Sequence, residues 1–176
     1  MSTPSKPGTP LVLLNIAVFQ VGWFSCVLGA ARGRPWLGLA VVAIIVAGWL
    51  ASAPRPSALL QLTVLTALVG YSWDSWLTVS GLIGYQAGPL SPLAPLWILA
   101  LWLLLATTLH VSLRWLQFKL PLAAVLGALS APLAYVGAAR LGALTLVRFQ
   151  PALWALALGW ALLLPLLLLL ARRLNA

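Results

Sequence analysis

Six nearly unbroken runs of Leu, Ala, Val, Ile and Trp, each about 20 residues long, fill this chain from Leu11 to Ala171. Wound as an α-helix, a run of that length matches the roughly 30 Å hydrocarbon core of a bilayer. Pro, Gly and Arg punctuate the runs. The spacing predicts spans at Leu11–Ala31, Pro35–Ala53, Ala58–Val79, Pro95–Leu116, Leu120–Ala138 and Pro151–Ala171. In lipid the backbone must satisfy its own polar groups, which a helix does, whereas a membrane barrel would show alternating strands of about ten residues. The expected fold is an all-α, polytopic membrane helix bundle of about six transmembrane helices. It forms one domain over 11–171, after a short polar leader (1–10) and before a basic tail (172–176).

Charge supports this reading. Only 6% of residues are charged and the mean hydropathy is +1.08, against roughly 25% charged residues in soluble domains. Ten Lys and Arg face a single acid, Asp74. They sit singly between apolar runs, as loop charges do, so membrane lipids with anionic headgroups are the expected partners, and nucleic acid is not. Cys26 stands alone, which excludes an intrachain disulfide and a Cys-rich metal site. The first run exceeds the 7 to 15 residues of a typical signal-peptide core and carries Asn15, Gln20 and Trp23, so it reads as a retained span.

Lys6, Arg55, Arg114, Lys119, Arg172 and Arg173 fall on the side of both termini, and Arg32, Arg34, Arg140 and Arg148 on the other. The positive-inside rule then puts both termini in the cytoplasm. Pro35, Pro95 and Pro151 suit first helical turns. The connection from Gly84 to Pro95, with Gly88, Pro89 and Pro92, is too proline-rich to be helical throughout and is expected to cap one face. Trp36, Trp49, Trp97 and Trp115 bracket spans as interfacial belts do, while Trp73, Trp76, Trp102 and Trp160 lie deeper.

Depth separates the polar residues into two clusters. Asp74 lies roughly 24 Å from the face of the termini, and His110 nearer that face, so the two are not expected to touch. At the level of Asp74 stand Arg140, Tyr135, Arg32, Cys26 and Tyr71. An unpaired carboxylate in lipid is costly, and Asp74 is expected to pair with Arg140 or to take up a proton. Such an acid is a ligand-site candidate, with Tyr135 beside it and Trp73 and Trp76 as walls; a helix-locking ion pair and belt tryptophans are the plainer alternatives. At the other level Thr107, His110 and Arg114 recur at helical spacing, with Asn15 and Gln61 in reach. Catalytic candidates are His110, as general base on a lipid carbonyl or headgroup, with Arg114 and Asp74. The structural alternative is a snorkelling Arg114 and an interhelical hydrogen bond from His110.

Ala123, Gly127 and Ala131 form a small-residue stripe that admits a neighbouring helix, and Gly29 and Gly33 repeat the pattern. Pro132 and Pro165 leave their helices free to kink. No Gly-x-Ser-x-Gly elbow, P-loop, His-Glu-x-x-His or carboxylate pair is present. One His and one acid cannot ligate a diiron centre or a bis-His haem, so no metal or cofactor is expected.

Asn15, Phe19, Gln20, Gly22, Trp23 and Phe24, with Asp74-Ser75, Pro95-Leu96-Trp97, Leu101-Trp102, the stretch from Thr108 to Trp115 and Pro132-Leu133-Ala134-Tyr135, carry a resemblance over nearly the whole chain. The sequence resembles a family of small bacterial inner-membrane proteins classed as a domain of unknown function. The resemblance implies a multi-pass protein of the Gram-negative inner membrane. It also implies a connection to lipid, because such proteins are often encoded near enzymes similar to cyclopropane-fatty-acid synthases, and hence a membrane or lipid-modifying enzyme as partner. The leading expectation is an accessory or enzyme of bacterial lipid or fatty-acid modification. The rivals are a small proton-coupled transporter working through Asp74, and a structural subunit whose partner surface is the small-residue stripe.

Overall fold

The prolines that punctuate the sequence mark helix starts. A fixed φ and a missing N–H cost nothing in a first turn, and α1 (Thr9–Ala31), α2 (Pro35–Ser52), α3 (Pro56–Val79) and α5 (Leu120–Arg140) all carry proline there. Pro95 caps α4 (Leu96–Ala106), and Pro151 lies in the first turn of α6 (Phe149–Leu174). The computed structural model describes residues 7–85 and 90–174. Lys6 of the leader, Gly88 and Pro89 of the proline-rich connection, and the last two residues of the tail lie outside the described residues.

Four helices, α1, α2, α5 and α6, are long and apolar enough to cross a membrane. Their outward faces are apolar: Ile44, Leu133 and Leu162 are 73%, 73% and 75% exposed, an arrangement suited to lipid and not to water. The third expected span is a helix of 24 residues, but Gln61, its threonines and serines, and Asp74 keep it out of that apolar set. It compensates by burying its polar face, since Thr63, Thr66, Asp74 and Ser75 are all buried.

The fourth expected span, Pro95–Leu116, is corrected. Its α-helix ends at Ala106 after 11 residues, which is about 16 Å of rise, half a bilayer core. The chain continues in turns to a 3-10 segment at Arg114–Phe118. Thr107 and Thr108 explain the break. Their hydroxyls donate to the carbonyls of Leu104 and Leu105 at 2.8 and 2.7 Å, and their amides bond those same carbonyls at 3.1 and 2.9 Å. Short-range side-chain bonds of this kind compete with the helical ladder.

A second element departs from an all-helical reading. Ile83–Tyr85 (β1) pairs antiparallel with Leu144–Leu146 (β2), so the connection after α3 is tied to the one after α5. Arg148 secures the junction: its guanidinium donates to the carbonyls of Ser80 at 2.6 Å and Gly81 at 3.4 Å. Gly81 adopts φ +64, a conformation that suits glycine at this turn.

Within the bundle, α4 is enclosed by α1, α2 and α3, α3 also packs on α6, and α6 packs on α5. The small-residue stripe of α5 is used inside the chain. A Cβ on Gly127 would stand 2.4 Å from the carbonyl oxygen of Trp160, so this glycine lets α6 approach the α5 backbone. Ala123, Gly127 and Ala131 are all buried within the chain, with Gly127 at the α5–α6 seam, which corrects the stripe's reading as a partner surface. Both helices run unbroken through Pro132 and Pro165. No substantial packing joins α1 to α5.

Candidate functional site

The gap between α1 and α5 opens into a cavity of about 390 Å³, within the roughly 300–1,000 Å³ usual for small-molecule sites. Its sides are Phe19, Trp23 and Val27 of α1, Ile98, Leu101 and Leu105 of α4, and Ala131, Ala134 and Ala138 of α5. Gln20 and Ser130, which also line it, are exposed and mark the mouth. Because Leu13, Leu14, Leu129 and Leu133 form the outer surface of the two flanking helices, the mouth faces the region a bilayer would occupy.

Asp74 is fully buried and also lines this cavity. Trp102 donates its indole N–H to Oδ2 at 2.6 Å, and Tyr135 donates to Oδ1 at 2.5 Å. Tyr85 also donates to Oδ1. Burial first, and then the neighbouring Asp74 carboxylate, hold the Tyr85 phenol well above its ordinary range, so its hydroxyl keeps its proton. Each donor comes from a different element: α4, α5 and β1. Asp74 therefore ties three segments to α3 through three neutral donors.

Arg140, the expected counter-ion, is not among these partners. It is exposed at the end of α5. Five residues beyond Tyr135, it projects about 140° around the helix from it, so turning the phenol inward turns the guanidinium out. Arg32 is exposed as well.

Neighbouring residues of α3 align the site. Tyr71 donates to the Ala94 carbonyl at 2.7 Å, and the Ala94 amide donates to Ser75 Oγ at 3.3 Å, which positions the start of α4. Gly70 gives Trp102 its place, because a Cβ there would fall 1.8 Å from the indole ring. Trp102 in turn stacks on Trp160 of α6 with centroids 4.9 Å apart. Trp73 and Trp76 stack on each other at 5.0 Å, but neither lines the cavity: Trp73 packs against Gly159, and Trp76 is half exposed. Trp97, expected in an interfacial belt, is instead 2% exposed and meets the Tyr85 ring edge-on.

The second cluster is separate. Asn15, fully buried on α1, donates to the Thr107 carbonyl at 3.2 Å and accepts from the Ser112 amide at 3.4 Å. One amide side chain thereby bridges the broken segment, and Gln117 adds a bond to the Leu109 carbonyl at 2.9 Å. His110 lies in the turn, past the end of α4, where Arg114 is close enough for its charge to bear on the ring. Thr107, His110 and Arg114 therefore do not share a face of one α-helix. Neither His110 nor Arg114 lines the cavity.

Sequence reasoning placed Asp74 and Tyr135 together but missed Tyr85, Trp97 and Trp102. Tyr85 lies in a strand that no alternation announced. The depth of Trp102, opposite Asp74 on an antiparallel neighbour, was the signal available for its role.

A helical bundle, tied by one short two-stranded sheet, with apolar outer faces, four helices of crossing length and a cavity facing the lipid zone defines an α-helical membrane protein. The chain matches the family described as Protein of unknown function (DUF2878) over residues 12–166 and belongs to that family. No curated protein and no solved structure matches it.

Proposed function

We propose that this protein handles lipid: it admits one apolar chain from the bilayer through the gap between α1 and α5 and holds the chain's polar end at Asp74. The observation that carries this reading is the cavity itself, apolar along its sides, open between two lipid-facing helices and ended by a buried carboxylate. Small-molecule sites combine apolar walls with a few placed polar groups in the same way. On this reading the protein serves lipid or fatty-acid modification in the bacterial inner membrane, as an enzyme or as an accessory to a lipid-modifying partner. It is multi-pass, with both termini cytoplasmic and Arg55, Lys119, Arg172 and Arg173 facing anionic headgroups.

The test is a lipid profile, by mass spectrometry, of host membranes with the gene deleted and then restored as wild type, Ser130→Trp or Asp74→Asn. The expected result is a specific lipid change reversed by wild type and not by either variant at equal membrane abundance. An unchanged profile on deletion, or full rescue by both variants, contradicts the proposal.

A further inference from the structure

The polar end of the cavity carries both a demand for a donor and a demand for an acceptor. A carboxylate offers about four acceptor positions, and protein groups occupy three of those on Asp74. Every one of these donors is neutral, and the remaining acceptor position can take one more. Trp97 lines the same cavity, and its buried Nε1 has no hydrogen-bond partner among the described residues. An indole N–H can only donate. Its ring lies 5.7 Å, centroid to centroid, from that of Tyr85, which itself donates to Asp74, so the orphan donor and the carboxylate flank one phenol.

Resting on the lipid-binding reading above, we propose that the occupant of the cavity is an apolar chain ending in a hydroxyl, a long-chain alcohol. Its O–H donates to Asp74 while its oxygen accepts from the Trp97 indole. The other common ends of membrane amphiphiles satisfy one demand at most. A carboxylate or phosphate ion accepts from Trp97 but has no proton to donate to Asp74. An ammonium pairs with Asp74 but has no lone pair for Trp97. A hydroxyl meets both at once and brings no charge into a low-dielectric site. Fatty alcohols, isoprenoid alcohols and acylglycerols share this chemistry.

The full chain in detergent micelles is titrated by native mass spectrometry with 1-hexadecanol, hexadecylamine and hexadecanoate, which share one chain length. Hexadecanol is expected to bind at least tenfold more tightly than either of the others. Trp97→Phe should reduce the preference over the amine, and Asp74→Asn the preference over the acid. Equal binding of all three, or a preference for the acid or the amine, overturns the hydroxyl assignment and leaves the lipid site standing. Absence of binding by every ligand overturns the lipid site itself. The wild-type comparison decides the matter even where a variant does not fold. Parallel titrations with geranylgeraniol and 1-hexadecanoylglycerol then distinguish isoprenoid from glyceride sources.

Discussion

Trp102 donates its indole N–H to Oδ2 of Asp74 at 2.6 Å, at the place where Gly70 lets that indole lie against the α3 backbone. One bond thus joins the central helix to α3 and fixes a wall of the cavity.

Removing it strands a buried acceptor. Trp102→Phe keeps most of the ring but leaves Oδ2 without its donor, a loss of about 1–3 kcal/mol. Thermal unfolding in micelles, followed by circular dichroism, checks this against Trp115→Phe, where the ring is half exposed. A loss no larger than that of the control contradicts the assigned role.

The α5–α6 seam predicts a contrast between two glycines of one helix. Gly127→Ala sets a Cβ against the Trp160 carbonyl, and overpacking of this kind costs about 1–3 kcal/mol. Gly137 has open space around it, so Gly137→Ala should leave stability unchanged or raise it slightly. Equal melting temperatures for the two variants would contradict the seam.

Asn15 predicts a local effect. Asn15→Leu removes both bonds to the broken segment and should cost about 1–3 kcal/mol. Hydrogen exchange should quicken at the amides of residues 107–113 while α5 and α6 keep their protection. Exchange that is unchanged in that stretch would mean that Asn15 does not hold it.

Arg148 predicts another. Arg148→Gln shortens the reach to the carbonyls of Ser80 and Gly81, and exchange should rise at residues 80–85, next to the strand that carries Tyr85. No change there would place the strand's support elsewhere.

The apolar runs made most of the bundle legible before any coordinate, because run length and proline placement are local properties. Where the reading failed, tertiary contacts had overridden local pattern. Thr107 and Thr108 fit a helix by composition, yet their hydroxyls turn the chain back on Leu104 and Leu105 in a place where Asn15 accepts the break. Asp74 was legible as the one acid in the chain, and Tyr135 as a residue at its depth. The preference for Arg140 as partner came from depth and charge, and helix phase decides otherwise. Tyr85 could not be placed from sequence, since a three-residue strand is too short to leave a pattern, and Trp97, read as a belt residue, is buried against it.

The most direct test of the central claim, that a lipid chain enters between α1 and α5, is photocrosslinking in native membranes. A photoreactive residue replaces Ala134, inside the cavity, or Leu133, which is 73% exposed on the outer face. The probe at 134 should capture a narrow set of lipids, and Ser130→Trp at the mouth should abolish capture, while the probe at 133 takes the bulk mixture in either background. An identical mixture at both positions, indifferent to Ser130→Trp, would contradict the account.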